Sequence, residues 1–195
     1  MLKISLTLFT ILISLVSIAQ TETINTLKIG DKAPLFEATS YANNEVKLKN
    51  LIDSGKVVLV FYRGAWCPYC NKHMSNLQDS LNFILEKGAS LITISPEIES
   101  SVEESISKSN ATFEIISDKN YLIMNQYGVS FKVKEATLTK YKLFGINLEE
   151  ANGNQDNILP VPATFIINQN GTIEYIHFDE NYKERLSVSE IIKQL

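Results

Sequence analysis

Val57-Val58-Leu59-Val60-Phe61 is an unbroken apolar run of β-branched character. Such a run fits a central strand buried on both faces. Downstream, Met74, Leu77, Leu81, Ile84 and Leu85 recur at helical spacing, and Gly88 ends that pattern. The spacing predicts a helix whose stripe faces the core. Ser90 to Ile94 is again apolar and closes at Ser95-Pro96, which predicts a second strand. Val102 to Lys108 reads as a helix, Phe113 to Ile116 as a strand, and Tyr121 to Tyr127 as a short helix stopped by Gly128. Glu45 to Lys49 alternates polar and apolar residues and predicts a short strand. Residues 132–148 are mixed and predict a partly helical insertion, and 151–157 read as a polar loop. Ala163 to Asn168 and Thr172 to Phe178 flank Asn170-Gly171, the pattern of a hairpin. Val188 to Leu195 closes the chain as a helix. Strands alternating with helices, followed by a hairpin and a helix, imply an α/β fold: a central mixed sheet with helices on both faces.

The start of the chain departs from this pattern. Met1-Leu2-Lys3 precedes an apolar stretch from Ile4 to Ile18, and Ser17-Ile18-Ala19 fits a small-x-small cleavage site. Residues 1–19 therefore read as a secretory signal peptide, and residues 20–195 as one exported domain, periplasmic or extracellular. The apolar stretch is shorter than the ~20 residues of a spanning helix, so no stable membrane insertion is expected after cleavage. A net charge of −4 and a pI near 5.3 provide no basic field for nucleic acid.

The chemistry is concentrated in Cys67-Pro68-Tyr69-Cys70, which holds the only two cysteines. A CxxC at a strand-to-helix junction in an α/β chain is a redox motif. Trp66 closes the turn, and Pro68 suits the first helical position, where a missing N–H costs nothing. Cys67 then falls at the N-cap, where its sulfur can accept from the N–H groups of Tyr69 and Cys70. The helix dipole favours a thiolate there, so an exposed and acidic Cys67 is expected. One sulfur attacks and the other resolves, through a Cys67–Cys70 disulfide. A structural zinc site wants four ligands, and no second CxxC or HxxxH is present; no metal or other cofactor is expected. His73 reads as a surface residue on the first helical turns.

Several segments in order resemble the peroxiredoxin-like branch (alkyl hydroperoxide reductase and thiol-specific antioxidant) of the thioredoxin-fold superfamily. Gly30-Asp31-Lys32-Ala33-Pro34-Leu35-Phe36 is similar to that branch's opening motif. Val58 through Cys70 is similar to its active segment, Ser95-Pro96-Glu97 follows at the family's distance, Leu159 through Phe165 is similar to its late motif, and Asp179 to Leu195 ends in a similar way. The resemblance implies a thioredoxin-like fold and a cis Pro162 beside the CxxC. Val161 would then offer its backbone next to the sulfurs, where an incoming substrate can pair, and Trp66, Val161 and Pro162 are the expected substrate-binding residues. It also implies a thiol peroxidase for hydrogen peroxide or organic hydroperoxides, reset by a thioredoxin-like or small-thiol reductant.

Departures from the family pattern matter. Aligned without gaps, Arg63 falls at the family's active-site proline, Cys67 at its threonine and Cys70 at its peroxidatic cysteine. The family's later arginine falls at Pro162, which leaves Arg63 as the nearest guanidinium in sequence to activate peroxide. Thioredoxin's buried aspartate falls at Phe61. Capping favours Cys67 as the leading thiol and the alignment favours Cys70. For disulfide exchange Cys67 leads; for peroxide the order stays open. The alternative function is an exported thiol–disulfide oxidoreductase acting on protein disulfides through the same two sulfurs. A third reading, from another class, is a metal carrier such as a copper chaperone on this fold.

Overall fold

The computed structural model describes residues 24–195, so the segment expected to be a signal peptide lies outside the described residues. Five strands form the central sheet: β3 (Val57–Phe61), β4 (Ser90–Ser95), β5 (Glu114–Ser117), β8 (Ala163–Ile167) and β9 (Ile173–Phe178). Their spatial order is β5-β4-β3-β8-β9. β3 pairs in parallel with β4, and β4 with β5, whereas β8 runs antiparallel to both β3 and β9. The sheet is mixed, and its middle strand is the apolar run that precedes the CxxC.

That run is continuous because both of its faces are covered. Val57, Leu59 and Phe61 point into one cluster with Ile92, Ile94, Phe165 and Tyr127. Val58 and Val60 point into the other, with Leu77, Ile84, Ile166 and Ile191. A strand with period-two side chains shows no polar alternation when helices pack on both sides. Phe61, at thioredoxin's aspartate position, lies 5.3 Å from Tyr127 and 5.8 Å from Phe165 between ring centroids, so no acid stands there.

The remaining elements frame the sheet. β1 (Glu37–Thr39) and β2 (Glu45–Lys47) form a small antiparallel pair that leads into α1 (Leu48–Ser54). α2 (Pro68–Asp79) and α3 (Leu81–Glu86) follow β3, α4 (Glu99–Ser109) follows β4, and α5 (Leu122–Gln126) follows β5. β6 (Ser130–Lys132) pairs with β7 (Ile158–Pro160) at the base of an insertion that carries α6 (Glu135–Leu143) and α7 (Leu148–Asn152). α8 (Val188–Gln194) ends the chain.

Three local expectations are corrected. The alternation at Glu45–Lys49 stops as a strand at Lys47, because Leu48 and Ile52 bury one turn apart as the inward face of α1. The single helix expected over residues 68–88 breaks at Ser80, whose backbone (φ −110°, ψ 7°) leaves the helical region. The break changes the phase of the apolar stripe: Leu77 and Ile84 are buried, but Leu85 is half exposed. The polar segment expected to be a loop over 151–157 begins inside α7, which Asn147 caps by accepting from the N–H groups of Glu149 and Glu150.

Candidate active site

Cys67 sits at the N-cap of α2 in an extended conformation, with Pro68 in the first helical turn. Its sulfur makes no capping bond. Its carbonyl accepts from the N–H groups of Cys70 at 3.0 Å and Asn71 at 3.1 Å. The turn before it needs Gly64, whose φ is +146°. A Cβ there would lie 2.6 Å from both Glu97 Oε1 and Trp66 Nε1.

Neither sulfur is exposed, contrary to the expectation from capping. Cys67 is 2% and Cys70 0% exposed, and both pack with Tyr62, Met74, Val102 and Ile115. The hydrogen bond between the two sulfurs and the charge of Arg185 reverse the expected order of acidity. Burial pushes the Cys70 thiol up, but a hydrogen bond from Cys67, the charge of Arg185 and the Arg63 backbone amide outweigh it. Together they bring Cys70 down to about 6. Cys67 is driven upward by its hydrogen bond to Cys70, by burial and by the neighbouring thiolate. The pair therefore shares one proton, held on Cys67.

The guanidinium at the sulfur is not the one nearest in sequence. Arg185, in the segment between β9 and α8, places Nη2 3.5 Å from Cys70 Sγ. Arg63 is buried, and its guanidinium lies 4.8, 5.5 and 4.4 Å from the ring centroids of Trp66, Tyr141 and Tyr182. Its Nη2 donates to the Tyr141 hydroxyl. The Arg63 charge bears on Cys67, and its main chain on Cys70. Arg185 was not singled out in the sequence: it stands 115 positions from Cys70, in the closing segment 179–195, where only the general ending resembles the family.

Val161 and Pro162 do not take the expected form. No described peptide bond is cis, so Pro162 is a trans residue between β7 and β8. Val161 is buried and its N–H donates to the Val129 carbonyl at 2.8 Å, which leaves that donor occupied. The pairing of β6 with β7 creates this bond, and a local reading of Leu159 through Phe165 contains no sign of it. Trp66 packs against the cluster that holds both cysteines, 5.4 Å from Tyr141 between ring centroids.

His73 is also corrected. It is 5% exposed, and burial, then the charges of Arg185 and His177, push it down to about 4. The segment that brings Arg185 to Cys70 covers the α2 surface on which His73 lies. Among the described residues no group of three or more His, Cys, Asp or Glu is placed to hold a metal ion.

Behind the pair stands Glu97, with no exposed surface. Its Oε1 accepts from the Ala65 N–H at 2.7 Å, and its Oε2 accepts from the hydroxyls of Ser95 at 3.3 Å and Ser105 at 3.2 Å. The carboxyl thus ties the CxxC turn to α4. Burial raises it to about 7 against these hydrogen bonds, and the Cys70 charge adds to the rise. The unfolded carboxyl gives up its proton near 4.5, whereas the folded one keeps it to about 7. Between those values the folded state binds more protons, so this contribution to stability is lost as pH rises. His73, with its lowered value, acts in the opposite sense over much of that window. We expect Glu97→Gln, which keeps the shape, to gain stability relative to wild type as pH rises from about 5 to 7. Urea midpoints of the two proteins at several pH values measure this; a constant difference would overturn it.

Comparison with known proteins places this geometry. The model of the AhpC/TSA family matches residues 29–176. The chain is 28% identical over 159 residues to the peroxiredoxin bcp of Buchnera aphidicola, covering 82% of this chain and 89% of that one. It is 25% identical over 161 residues to the thiol-disulfide oxidoreductase ResA of Bacillus thuringiensis, covering 82% and 75% of the two chains. Among solved structures, peroxidoxin BcpB of Mycobacterium tuberculosis superposes with a TM-score of 0.67 at 19% identity, over 86% of this chain and 96% of that one. Matched over most of its length, and folded as a mixed sheet with a buried CxxC at the first turn of α2, the chain belongs to the AhpC/TSA family of peroxiredoxin-like, thioredoxin-fold proteins, the thiol-dependent oxidoreductases.

Proposed function

We propose that the protein is a thiol peroxidase in which Cys70 attacks the peroxide and Cys67 resolves. The observation that carries this reading is the contact of Arg185 with Cys70 Sγ at 3.5 Å, on the one sulfur of the pair that is favoured as a thiolate. The Cys70 thiolate attacks the terminal oxygen of the peroxide. An S–O bond forms, the O–O bond breaks, and sulfur supplies two electrons. The leaving alkoxide or hydroxide takes a proton from water. Arg185 stabilises the anionic sulfur before attack and the charge that spreads to oxygen during it. Cys67 then attacks the Cys70 sulfenic acid. An S–S bond forms, the S–O bond breaks, and the Cys67 proton leaves with the hydroxide as water. A thioredoxin-like or small-thiol reductant reopens the disulfide through a mixed disulfide.

Arg63 acts on Cys67. Held among Trp66, Tyr141 and Tyr182, it places positive charge where the resolving thiol must ionise. Because both sulfurs are buried, peroxide and reductant reach them only when the structure around the pair opens locally.

The second reading, a thiol–disulfide oxidoreductase, draws on the similarity to ResA and on the same two sulfurs. One experiment separates the two. Reduced protein is mixed with hydrogen peroxide and, separately, with a protein disulfide such as insulin, and lost thiols are counted against time. Loss of both thiols to peroxide, orders of magnitude faster than a free thiol reacts, supports the peroxidase. Reaction with peroxide no faster than a free thiol, together with rapid disulfide reduction, would leave the oxidoreductase reading standing.

A further inference from the structure

The insertion between β6 and β7 has an inner face and a free end. On α6, Leu138 is buried, and the ring of Tyr141 lies 5.4 Å from that of Trp66 between centroids. That packing is complete without Leu143 and Phe144. They end the helix at 81% exposure each, more than any other large apolar residue described. The chain then turns at Gly145, whose φ is +74°, and a Cβ there would meet nothing within 4 Å. Leu143 and Phe144 therefore stand at a convex tip and not in a groove. Single exposed apolar residues are ordinary, but two neighbours with no packing role in the fold mark a contact surface.

The charge nearest the tip has one sign. Lys140 and Lys142 are exposed, and neither takes part in an ion pair among the described residues. From Lys132 to Asn147 the insertion carries four lysines and one acid, Glu135, in a chain whose net charge is −4. Glu149 and Glu150 belong to α7, past the turn at Gly145. Glu135 and Glu149 line a small cavity with Lys142 without reaching ion-pair distance, and Lys140 lies outside that cavity.

We infer that this tip docks on a lipid bilayer with anionic headgroups: Leu143 and Phe144 enter the acyl boundary, and Lys140 and Lys142 meet the headgroups. Two side chains supply far less than the roughly 800 Å2 that each side of a specific protein interface buries. A bilayer needs no complementary surface, and it rewards apolar side chains flanked by cations. Because the rest of the chain is acidic, an anionic surface attracts the molecule by this end and orients it. Among the described residues no helix is long and apolar enough to cross a membrane, so the contact is peripheral. Tyr141, whose hydroxyl accepts from Arg63, stands just before the tip on the same helix, so docking holds the CxxC end of the molecule at the bilayer.

Vesicle flotation tests this with residues 20–195, since the apolar run from Ile4 to Ile18 binds lipid by itself and residues 24–195 hold the whole described fold. Wild-type protein is expected to float with vesicles of equal phosphatidylglycerol and phosphatidylcholine, and less with phosphatidylcholine alone. Leu143→Ser/Phe144→Ser should weaken partitioning by roughly tenfold or more on both. Lys140→Gln/Lys142→Gln should weaken it by roughly tenfold on the anionic vesicles alone, and less at high salt. All four positions are exposed and lie outside the cluster that holds the sulfurs, so both variants are expected to keep the wild-type melting temperature. Phe144→Trp reports depth: bromines on the acyl chains should quench the fluorescence that this substitution adds. No flotation of wild-type protein, flotation that the serine variant retains, or added fluorescence that bromines leave unchanged overturns the proposal. So does a dimer of the free protein that the serine variant abolishes while neither protein binds vesicles.

Discussion

The Cys70→Ser protein is expected to leave hydrogen peroxide untouched, while Cys67→Ser consumes one equivalent and stops at a sulfenic acid. The asymmetry follows from the shared proton. With Cys70 near 6, about nine-tenths of it is thiolate at pH 7. Cys67 is pushed above its ordinary value of 9.0, so roughly 1% or less of it is ionised at that pH. Serine at position 70 removes the nucleophile and also the thiolate that holds the proton on Cys67. Some thiolate then returns to Cys67, but it lacks the Arg185 contact. Intact mass after peroxide treatment reads both variants: no added oxygen for Cys70→Ser, and one added oxygen, trapped by dimedone, for Cys67→Ser. The reverse pattern would make Cys67 the attacking sulfur, as capping alone suggests.

Arg185→Met is expected to raise the Cys70 thiol by one to two pH units, and to slow oxidation by peroxide by tens-fold at pH 6 to 7. Methionine keeps part of the apolar stem and removes the charge. A charge-assisted hydrogen bond contributes roughly 1.5–3 kcal/mol, which corresponds to about one to two units of pKa. Part of the slowing comes from a smaller thiolate fraction, and part from lost stabilisation of the charge that develops on oxygen. Thiolate absorbance against pH measures the first, and the rate well above the new midpoint isolates the second. Arg185→Lys should restore some of both. Arg63→Met should shift Cys70 much less, because the Arg63 side chain is committed to Tyr141 and three aromatic rings while only its main chain serves Cys70. Equal shifts from the two methionine variants would overturn the assignment of Arg185.

Both predictions depend on a residue that no local pattern announces. Arg185 lies in a segment whose composition is that of an exposed connection, and only the return of the chain after β9 brings it to the first turn of α2. Glu97 is an intermediate case. Ser95-Pro96-Glu97 carries part of the family resemblance, yet the role of the carboxyl became clear only with Ala65 and Ser105 on either side of it. His73 was misread because a helix surface looks exposed until the element that covers it is known. Nor was the occupied N–H of Val161 legible, since it depends on β6 meeting β7 across an insertion of two helices.

By itself the sequence determined what short-range physics and periodicity control. The apolar run at Val57–Phe61 had to be a strand covered on both faces, because no side of it is polar. Pro68 after Cys67 had to start a helix, because proline removes a donor that a first turn does not need. The CxxC then had to lie at that junction, and the order of strands and helices had to give a mixed α/β sheet. Only the tertiary structure decided which sulfur is acidic. Capping depends on residues within one turn and favours Cys67. Burial by α4 and β5 and the charge of Arg185, 115 positions away, depend on the tertiary fold, and with the local Cys67–Cys70 hydrogen bond they place the negative charge on Cys70. Around two buried sulfurs, those interactions are weakly screened and outweigh capping.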